Sequence, residues 1–207
     1  MTTDYAKTSL APPIWVLALA VSAANVGISL LSPAIPQLRD DLMVTSDEAQ
    51  LVLSAFLIML GVGQLIAGSL SDRIGRRPVL VYGSLLFLLS GLGALFSTSI
   101  EMLVAMRIFQ GLGAATCMAM GRVIISDSFQ RAEAGRQMST ITMFQSVVPL
   151  LGFAFGGVMA DLVGWRGSVG LMVVTAAIVF LGTSLLLAES RDPSIKPVQA
   201  SRIIVVY

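Results

Sequence analysis

Six long apolar stretches, separated by short polar breaks, dominate this sequence of 207 residues. They cover residues 14–38, 49–70, 78–96, 102–125, 138–163 and 168–188. Each stretch is long enough to cross about 30 Å of hydrocarbon as an α-helix, because a helix rises about 1.5 Å per residue. The pattern therefore predicts an all-α membrane protein with six transmembrane helices, which we call spans 1 to 6.

The charged residues concentrate in the breaks between the spans, where water can solvate them. The clearest breaks are 39–41, 71–73, 131–136 and 164–166. Nearly all Lys and Arg residues lie on the same side as the N-terminus, whereas the opposite side carries only Arg39 and Arg166. Because positively charged loops stay in the cytoplasm, we expect both termini to be cytoplasmic in a multi-pass protein of the inner (plasma) membrane.

The composition agrees with a membrane protein and argues against several other classes. Only 12% of the residues are charged and 56% are hydrophobic, which is about half the charge of a soluble domain. The 13 basic and 12 acidic residues nearly balance, so nucleic acid is not expected as a partner. There is no His and one Cys, Cys117. We therefore expect no catalytic residue, no metal site, no cofactor and no enzymatic activity.

The spans predict one transmembrane domain with a short segment on each side. Residues 1–13 lack the basic start and the cleavage site of a secretory signal, so we expect a retained cytoplasmic N-terminus. Residues 14–188 form the six-helix bundle. Residues 189–207 are polar at first and contain Pro193 and Pro197, so they are expected to form a cytoplasmic linker that is truncated.

The break between spans 2 and 3 contains the most distinctive motif, GSLSDRIGRRP, from Gly68 to Pro78. We expect Gly68 to end span 2, Gly75 to permit a tight reversal and Pro78 to start span 3. A turn does not explain Asp72, because a carboxylate at a helix C-terminus is unfavourable unless a cation or another helix N-terminus meets it. A partner for Asp72 is therefore predicted.

This segment resembles the Gly-x-Leu-x-Asp-Arg-x-Gly-Arg-Arg/Lys signature of the major facilitator superfamily. In span 4, the sequence RIFQGLGAA from Arg107 is similar to the superfamily motif R-x-x-Q-G-x-G-A-A. In span 5, PLLGFAFGG from Pro149 is similar to the P-x-x-G-P-x-x-G-G pattern of its antiporters, with Phe153 in place of the second proline. The sequences PAIP at the end of span 1 and GWR after span 5 are most similar to drug/proton antiporters of the Bcr/CflA type.

The resemblance implies a fold and an activity. Members of the superfamily have two six-helix halves, each built from two three-helix repeats, and bind substrate between the halves. The chain would be the N-terminal half, with a 3+3 helical repeat. The implied function is efflux of drugs or other small molecules in exchange for protons by alternating access, with the proton gradient as the energy source.

The resemblance also implies gating residues at the cytoplasmic side. Asp72 would cap a helix of the second half, and Arg76 would pair with Asp127 near the end of span 4. These contacts would lock the outward-facing state and open when the halves rock. The alternative is that Asp127 is a solvated residue at a helix end. The motif residues of the break are Gly68, Asp72, Arg73, Gly75, Arg76 and Arg77.

Arg107 is the one charged residue near the middle of a span. A guanidinium there costs on the order of a few kcal/mol, so such residues usually face the bundle interior and mark a substrate or proton pathway. The alternative is that Arg107 snorkels to the outer interface. By resemblance, Arg107 would tune the proton affinity of a nearby acid, and Gln110 and Gly111 would shape the path. The motif residues of span 5 are Pro149, Gly152, Gly156 and Gly157.

Polar residues within the spans predict where substrate would bind. The first helix of each three-helix repeat lines the cavity of this fold, which favours Asn25 and Ser29 in span 1 and Thr116 in span 4. Hydrogen bonding between helices is the alternative for each of them. The resembling antiporters often carry an acid where this chain has Ser29, and no Asp or Glu lies inside a span. The proton carrier would lie in the missing half or be a peripheral acid such as Asp127, or coupling would be absent.

The half length leaves two functions open. The chain would be part of a transporter whose partners are the lipid bilayer, protons, a small amphipathic substrate and either the missing C-terminal half or a second copy. Alternatively, it is a truncated, non-transporting half that binds a ligand or partner in the membrane, or an inactive fragment. The identity of the substrate does not follow from the fold.

Overall fold

The computed structural model describes residues 12–187, which form seven α-helices. They are α1 (Ile14–Ser29), α2 (Ile35–Leu42), α3 (Ser46–Ile74), α4 (Arg76–Leu95), α5 (Ile100–Ser128), α6 (Arg131–Val163) and α7 (Trp165–Leu186). Span 1 consists of α1, a 3-10 turn and α2, whereas α3 to α7 form spans 2 to 6. All six spans are long and apolar enough to cross a membrane, which confirms the predicted fold. The expected N-terminal segment and linker lie outside the described residues, apart from residues 12 and 13.

Span 1 is not the continuous helix over 14–38 that the hydrophobic pattern predicts. α1 ends at Ser29, because Pro33 has no N–H to donate to the Ser29 carbonyl and its ring clashes with that carbonyl in a helix. The Ile28 carbonyl accepts a hydrogen bond from Ser32 Oγ at 2.8 Å. After this turn the chain becomes helical again as α2. The proline therefore breaks the span near the end of its hydrophobic run.

The turn between α3 and α4 is a single residue, Gly75, whose φ is 103°. Glycine adopts this region readily, so Gly75 makes the tight reversal that the sequence predicts. The prediction that Gly68 ends span 2 is wrong, because α3 continues to Ile74 and nothing opposes the helix at this open, exposed position. The charged residues of the motif lie on helix ends and not in a loop: Asp72, Arg73, Arg76 and Arg77.

Two helix starts also differ from the prediction. α6 begins at Arg131, so the segment 131–136 is helical, because water solvates charged side chains on an exposed helix as well as in a loop. α3 begins at Ser46, before the apolar run starts. The Thr45 hydroxyl accepts a hydrogen bond from the Glu48 N–H at 3.3 Å, and the Glu48 carboxylate accepts one from the Thr45 N–H at 2.8 Å. This capping box sets the start of α3.

α5 lies in the centre of the bundle, and α3 and α4 approach it closely at glycines. At Gly111, a Cβ would press on the main chain of α3. At Gly113, a Cβ would lie 2.6 Å from the Phe87 nitrogen and 2.8 Å from the Gly83 carbonyl oxygen of α4. Small residues allow transmembrane helices to approach in this way. The glycines of the span 4 motif are therefore packing positions in the structure.

α6 packs on span 1 through two glycines among its small buried residues, which are Gly152, Gly156 and Ala160. Gly152 contacts Ser29, and Gly156 contacts the main chain of Leu30. The remaining faces of α6, like those of α3, carry exposed apolar side chains. This is the pattern expected of helices that face lipid or another transmembrane element.

Gly113→Ala should destabilise the protein, because the added methyl group would meet main-chain atoms of α4. We expect a loss of about 1–3 kcal/mol, the usual range for an overpacked interior, measured as a lower Tm of the purified protein in detergent. The matched control is Gly61→Ala, inside α3, where a Cβ has open space and Tm should not fall. Equal losses in both variants would contradict the close approach of α4 and α5.

Candidate functional site

Arg107 is held inside the bundle with an exposed fraction of 0%. Its Nε donates a hydrogen bond to the Val52 carbonyl of α3 at 3.2 Å, and its Nη2 donates to the Gly27 carbonyl of α1 at 2.7 Å. Its Nη1 donates to Gln110 Oε1 at 2.6 Å and lies 3.7 Å from the Met172 sulfur. One side chain thus connects α1, α3, α5 and α7.

The partners of Arg107 are neutral. Within residues 12–187, no carboxylate forms an ion pair with it. Carbonyl dipoles stabilise its charge together with the Phe56 ring, whose centroid lies 4.3 Å from the guanidinium carbon. The Gly27 carbonyl is available because it lies in the last turn of α1, where intrahelical donors run out. The side chain is bonded inside the bundle, so it does not snorkel to the outer interface.

Gln110 and Gly111 shape the surroundings of Arg107. Because Gln110 Oε1 faces the guanidinium, Gln110 Nε2 points towards α4, 3.1 Å from where a Cβ of Gly91 would lie. This nitrogen has no hydrogen-bond partner within the described part of the chain. Gly111 leaves room for the α3 backbone beside Phe56. The role of these residues in a proton path stays a prediction.

A second group of charged residues consists of Arg76, Asp72 and Asp127 and joins the ends of α3, α4 and α5. We call it the Arg76 cluster. Arg76 donates through Nη1 to the Asp72 carboxylate at 2.9 Å and through Nε to the Asp127 carboxylate at 3.2 Å. Its Nη1 also donates to the Ser71 carbonyl at 3.1 Å. Arg73 lies exposed on the same turn of α3 as Asp72. The structure thus brings together Arg76 and Asp127, as the resemblance implies, while their role as a gate stays a prediction.

Arg77 contacts the end of α7. Its Nε donates to the Leu187 carbonyl at 2.6 Å, and its Nη2 donates to the Ser184 carbonyl at 2.8 Å. Carbonyls at a helix C-terminus lack intrahelical donors, and arginines can satisfy them. Asp72 is met by Arg76 in this structure, and its predicted contact with a helix of a second half stays a prediction.

Pro149 lies inside α6 without ending it. A proline cannot donate to the carbonyl one turn earlier, and Asn25 Nδ2 of α1 donates to that Gln145 carbonyl instead, at 3.0 Å. The Gln145 side chain adds two contacts, since its Nε2 donates to the Val21 carbonyl at 3.2 Å and its Oε1 accepts from Arg122 Nη2 at 3.1 Å. The motif proline thus creates a polar junction between α1, α5 and α6.

The structure brings together only two of the three predicted cavity residues. Asn25 and Ser29 both lie at the contact between α1 and α6, where Ser29 Oγ donates to the Asn25 carbonyl at 2.7 Å and is buried against Gly152. Thr116 lies on another side of α5, with its methyl group against Gly83 of α4. The prediction came from the rule that the first helix of each repeat lines the cavity. This rule specifies the helix but not which of its faces meets the cavity, so it could not distinguish Thr116 from Asn25 and Ser29.

Sequence reasoning missed two polar contacts. Arg122 was counted only among the basic residues on the side of the N-terminus, but its side chain extends from α5 to Gln145 of α6. At the opposite end of the bundle, Asp41 accepts hydrogen bonds from Trp165 Nε1 and Arg166 Nη1, both at 2.8 Å. Arg166 Nη2 also donates to the Ser97 carbonyl at 3.0 Å. The contact of Asp41 could have been predicted, because the breaks 39–41 and 164–166 lie on the same side of the membrane.

Known proteins with similar sequences include drug-resistance proteins. The family model described as Major Facilitator Superfamily matches residues 17–204. The chain is 32% identical over 189 residues to the chloramphenicol resistance protein of Pseudomonas aeruginosa and 32% identical over 186 residues to multidrug resistance protein D of Escherichia coli (strain K12). The matches cover 89% and 90% of this chain but 42% and 46% of those relatives. The chain therefore spans less than half the length of these relatives.

Solved structures share the fold at low sequence identity. The crystal structure of a D-xylose-proton symporter matches with a TM-score of 0.75 at 17% identity, over 86% of this chain and 48% of that one. A crystal structure of the peptide transporter POT in complex with sulfate matches with a TM-score of 0.77 at 15% identity, over 92% of this chain and 42% of that one. The likeness to these two structures concerns the fold alone. Since the family model matches most of its length, the chain belongs to the major facilitator superfamily.

Proposed function

We propose that the protein takes part in the export of small amphipathic compounds in exchange for protons, by alternating access across the inner (plasma) membrane with both termini cytoplasmic. The names of the two relatives, a chloramphenicol resistance protein and a multidrug resistance protein, support drug-like cargo. The observation that carries the proposal is the bridge that Arg76 makes between Asp72 and Asp127. We further propose that a second six-helix half, or a second copy of this chain, completes the transporter.

The Arg76 cluster has the energetics of a contact that opens and closes. The side chains of Arg76, Asp72 and Asp127 are 20%, 50% and 35% exposed. Partly solvated ion pairs of this kind contribute about 0–1 kcal/mol each, because water can replace either partner. A contact that is specific in geometry but small in net energy suits a gate that breaks in every transport cycle.

The contacts of Arg107, unlike those of the Arg76 cluster, are costly to break. Its charge is buried, and moving it away from the carbonyls of Val52 and Gly27 would leave it without compensation in a medium of low dielectric constant. We propose that Arg107 keeps α1, α3, α5 and α7 together within the membrane, while only the ends of α3, α4 and α5 separate when the Arg76 cluster opens. Rocking of rigid halves about a central site is the motion of this fold class.

Proton exchange needs a group that gains and loses a proton within the membrane. In the described spans, Asp and Glu residues occur only near helix ends. We propose that the proton carrier is supplied by the half that completes the transporter. Asp127 is the alternative carrier within this chain, because it is partly exposed and its partner Arg76 could bind Asp72 alone when Asp127 takes up a proton.

The exposed apolar faces of α3 and α6 favour a second candidate function. A half without transport activity would act as a binding module in the membrane. The exposed apolar faces of α3 and α6 would then contact a membrane partner, since such faces pack equally well against lipid and other helices. In that case the Arg76 cluster would be a static contact.

Transport of chloramphenicol against a pH gradient separates the two functions. The product is extracted from its native membrane, its intact mass is compared with the 21.8 kDa of this chain, and it is reconstituted into vesicles that contain a pH-sensitive dye. Proton movement upon addition of chloramphenicol, absent from empty vesicles, supports the antiporter. Chloramphenicol flux without proton movement would contradict antiport, and binding without flux would favour the binding module.

Arg107→Ala and Arg107→Lys should both abolish coupled transport while the protein still inserts into the membrane. Lysine has one nitrogen, which cannot reach the carbonyls of Val52 and Gly27 and the Gln110 amide together. Each lost charged hydrogen bond is worth about 1.5–3 kcal/mol, so we expect a fall of about 100-fold or more. The measurement is the chloramphenicol-driven proton flux per inserted protein, and normal flux in either variant would refute this role of Arg107.

Arg76→Lys should lower transport by up to about 5-fold, because one partly solvated ion pair worth about 0–1 kcal/mol is lost. Arginine meets Asp72 and Asp127 through separate nitrogens, which lysine cannot do. The double variant Arg76→Lys with Asp127→Asn should show no further loss, because the two residues act as a unit. The control is Arg131→Lys, an exposed position on α6, whose effect on flux should be negligible. Multiplicative losses for Arg76 and Asp127 would contradict the pairing.

A further inference from the structure

Arg122 is a cation without an acidic partner in the described part of the chain. It is half-buried, and its Nη2 donates to Gln145 Oε1 at 3.1 Å. None of the ion pairs formed within residues 12–187 includes it. A guanidinium carries several N–H donors, so one amide oxygen satisfies only part of its hydrogen-bonding capacity. The positive charge of Arg122 is therefore not compensated by its neighbours.

The acidic residue nearest to Arg122 along α5 does not compensate its charge. Asp127 follows five residues later, which places it about 140° further round the helix. Asp127 is bound by Arg76 on that other side. Elsewhere within residues 12–187, the Asp and Glu residues lie close to helix ends. In this described range no carboxylate forms an ion pair with Arg122.

Arg122 lies on the side of α5 between α3 and α6. Its neighbour Gly121 is in contact with Val21 of α1. One turn earlier on α5, the Met118 sulfur accepts a hydrogen bond from Gln64 of α3 at 3.8 Å. These contacts place Arg122 over the interior of the bundle, with α3 on one side and the junction of α1 and α6 on the other.

Other partly or fully exposed polar side chains lie on the helices that flank this position, and we call the group, together with Arg122, the polar face. On α6, Thr142 and Ser146 lie within one turn of Gln145, and their hydroxyls donate to carbonyls of their own helix at 2.9 and 3.0 Å. Their oxygen lone pairs remain available to a ligand. The polar face consists of Asn25, Gln64, Arg122, Thr142, Gln145 and Ser146.

We infer that the polar face, through Arg122, binds the anionic group of an amphipathic molecule, so that the favoured ligands of this half are lipophilic carboxylates and not lipophilic cations. The inference rests on the proposed function, since it names the substrate class of that transporter. In a partly desolvated site, an unpaired guanidinium repels cations and forms a charge-assisted hydrogen bond with a carboxylate. Met118, on the same side of α5, offers an adaptable apolar contact for the rest of the ligand.

The test compares two probes that share one fluorophore, dansylglycine with a carboxylate and dansylcadaverine with an ammonium group. The full chain is placed in phosphatidylcholine nanodiscs, each probe is titrated without a pH gradient, and the signal of empty nanodiscs is subtracted. We expect dansylglycine to bind about tenfold more tightly than dansylcadaverine, the effect of one charge-assisted hydrogen bond. Arg122→Gln should weaken dansylglycine binding about tenfold, and Arg122→Lys should retain most of the preference.

The matched control is Arg131→Gln, which removes the same formal charge from an exposed position at the start of α6 and should keep the preference for dansylglycine. A Tm for each variant verifies that it is folded. Preference for dansylcadaverine, binding of neither probe, or an unchanged preference in Arg122→Gln would each overturn the inference. Because the titration needs no transport, a chain that binds dansylglycine through Arg122 but moves no chloramphenicol or protons would overturn the proposed function alone.

Discussion

The interior of a bilayer offers no hydrogen-bond partner, so each polar group within a span must find one inside the protein. Arg107 meets this requirement with neutral acceptors from several helices. One acceptor, the Gly27 carbonyl, lies in the last turn of α1, which ends where Pro33 interrupts the helix. Because α1 ends early at Pro33, the Gly27 carbonyl is available to accept a hydrogen bond from Arg107. The burial of Arg107 therefore depends on the early end of α1.

The same principle explains contacts elsewhere in the bundle. Pro149 removes a donor from α6, and Asn25 replaces it from α1. The last carbonyls of α7 lack donors, and Arg77 supplies them from α4. In each case an interrupted or ended helix offers an acceptor that a side chain from another helix satisfies. These bonds link helices whose apolar surfaces alone have no preference for one another over lipid.

The sequence predicted the six spans well because bilayer thickness imposes a minimum apolar length that few other structures share. It predicted the reversal at Gly75 because that conformation favours one residue type. It failed at Arg122, since counting charges by side assumes that every arginine near a span end is solvated. It failed to separate Thr116 from Asn25, because which face of α5 meets α4 depends on packing between helices. The gating and proton-coupling roles depend on other conformations and a second half, which local sequence does not encode.

The hydrogen bond from Asn25 to the Gln145 carbonyl exists because residue 149 is a proline. Another residue at 149 would supply the missing donor from within α6, so the Gln145 carbonyl would no longer depend on Asn25. Beside Pro149, an apolar residue at 25 would leave this carbonyl without a donor in the membrane. Positions 25 and 149 are therefore coupled in evolution. Lineages that lose the proline from span 5 should also be free to lose the asparagine from span 1.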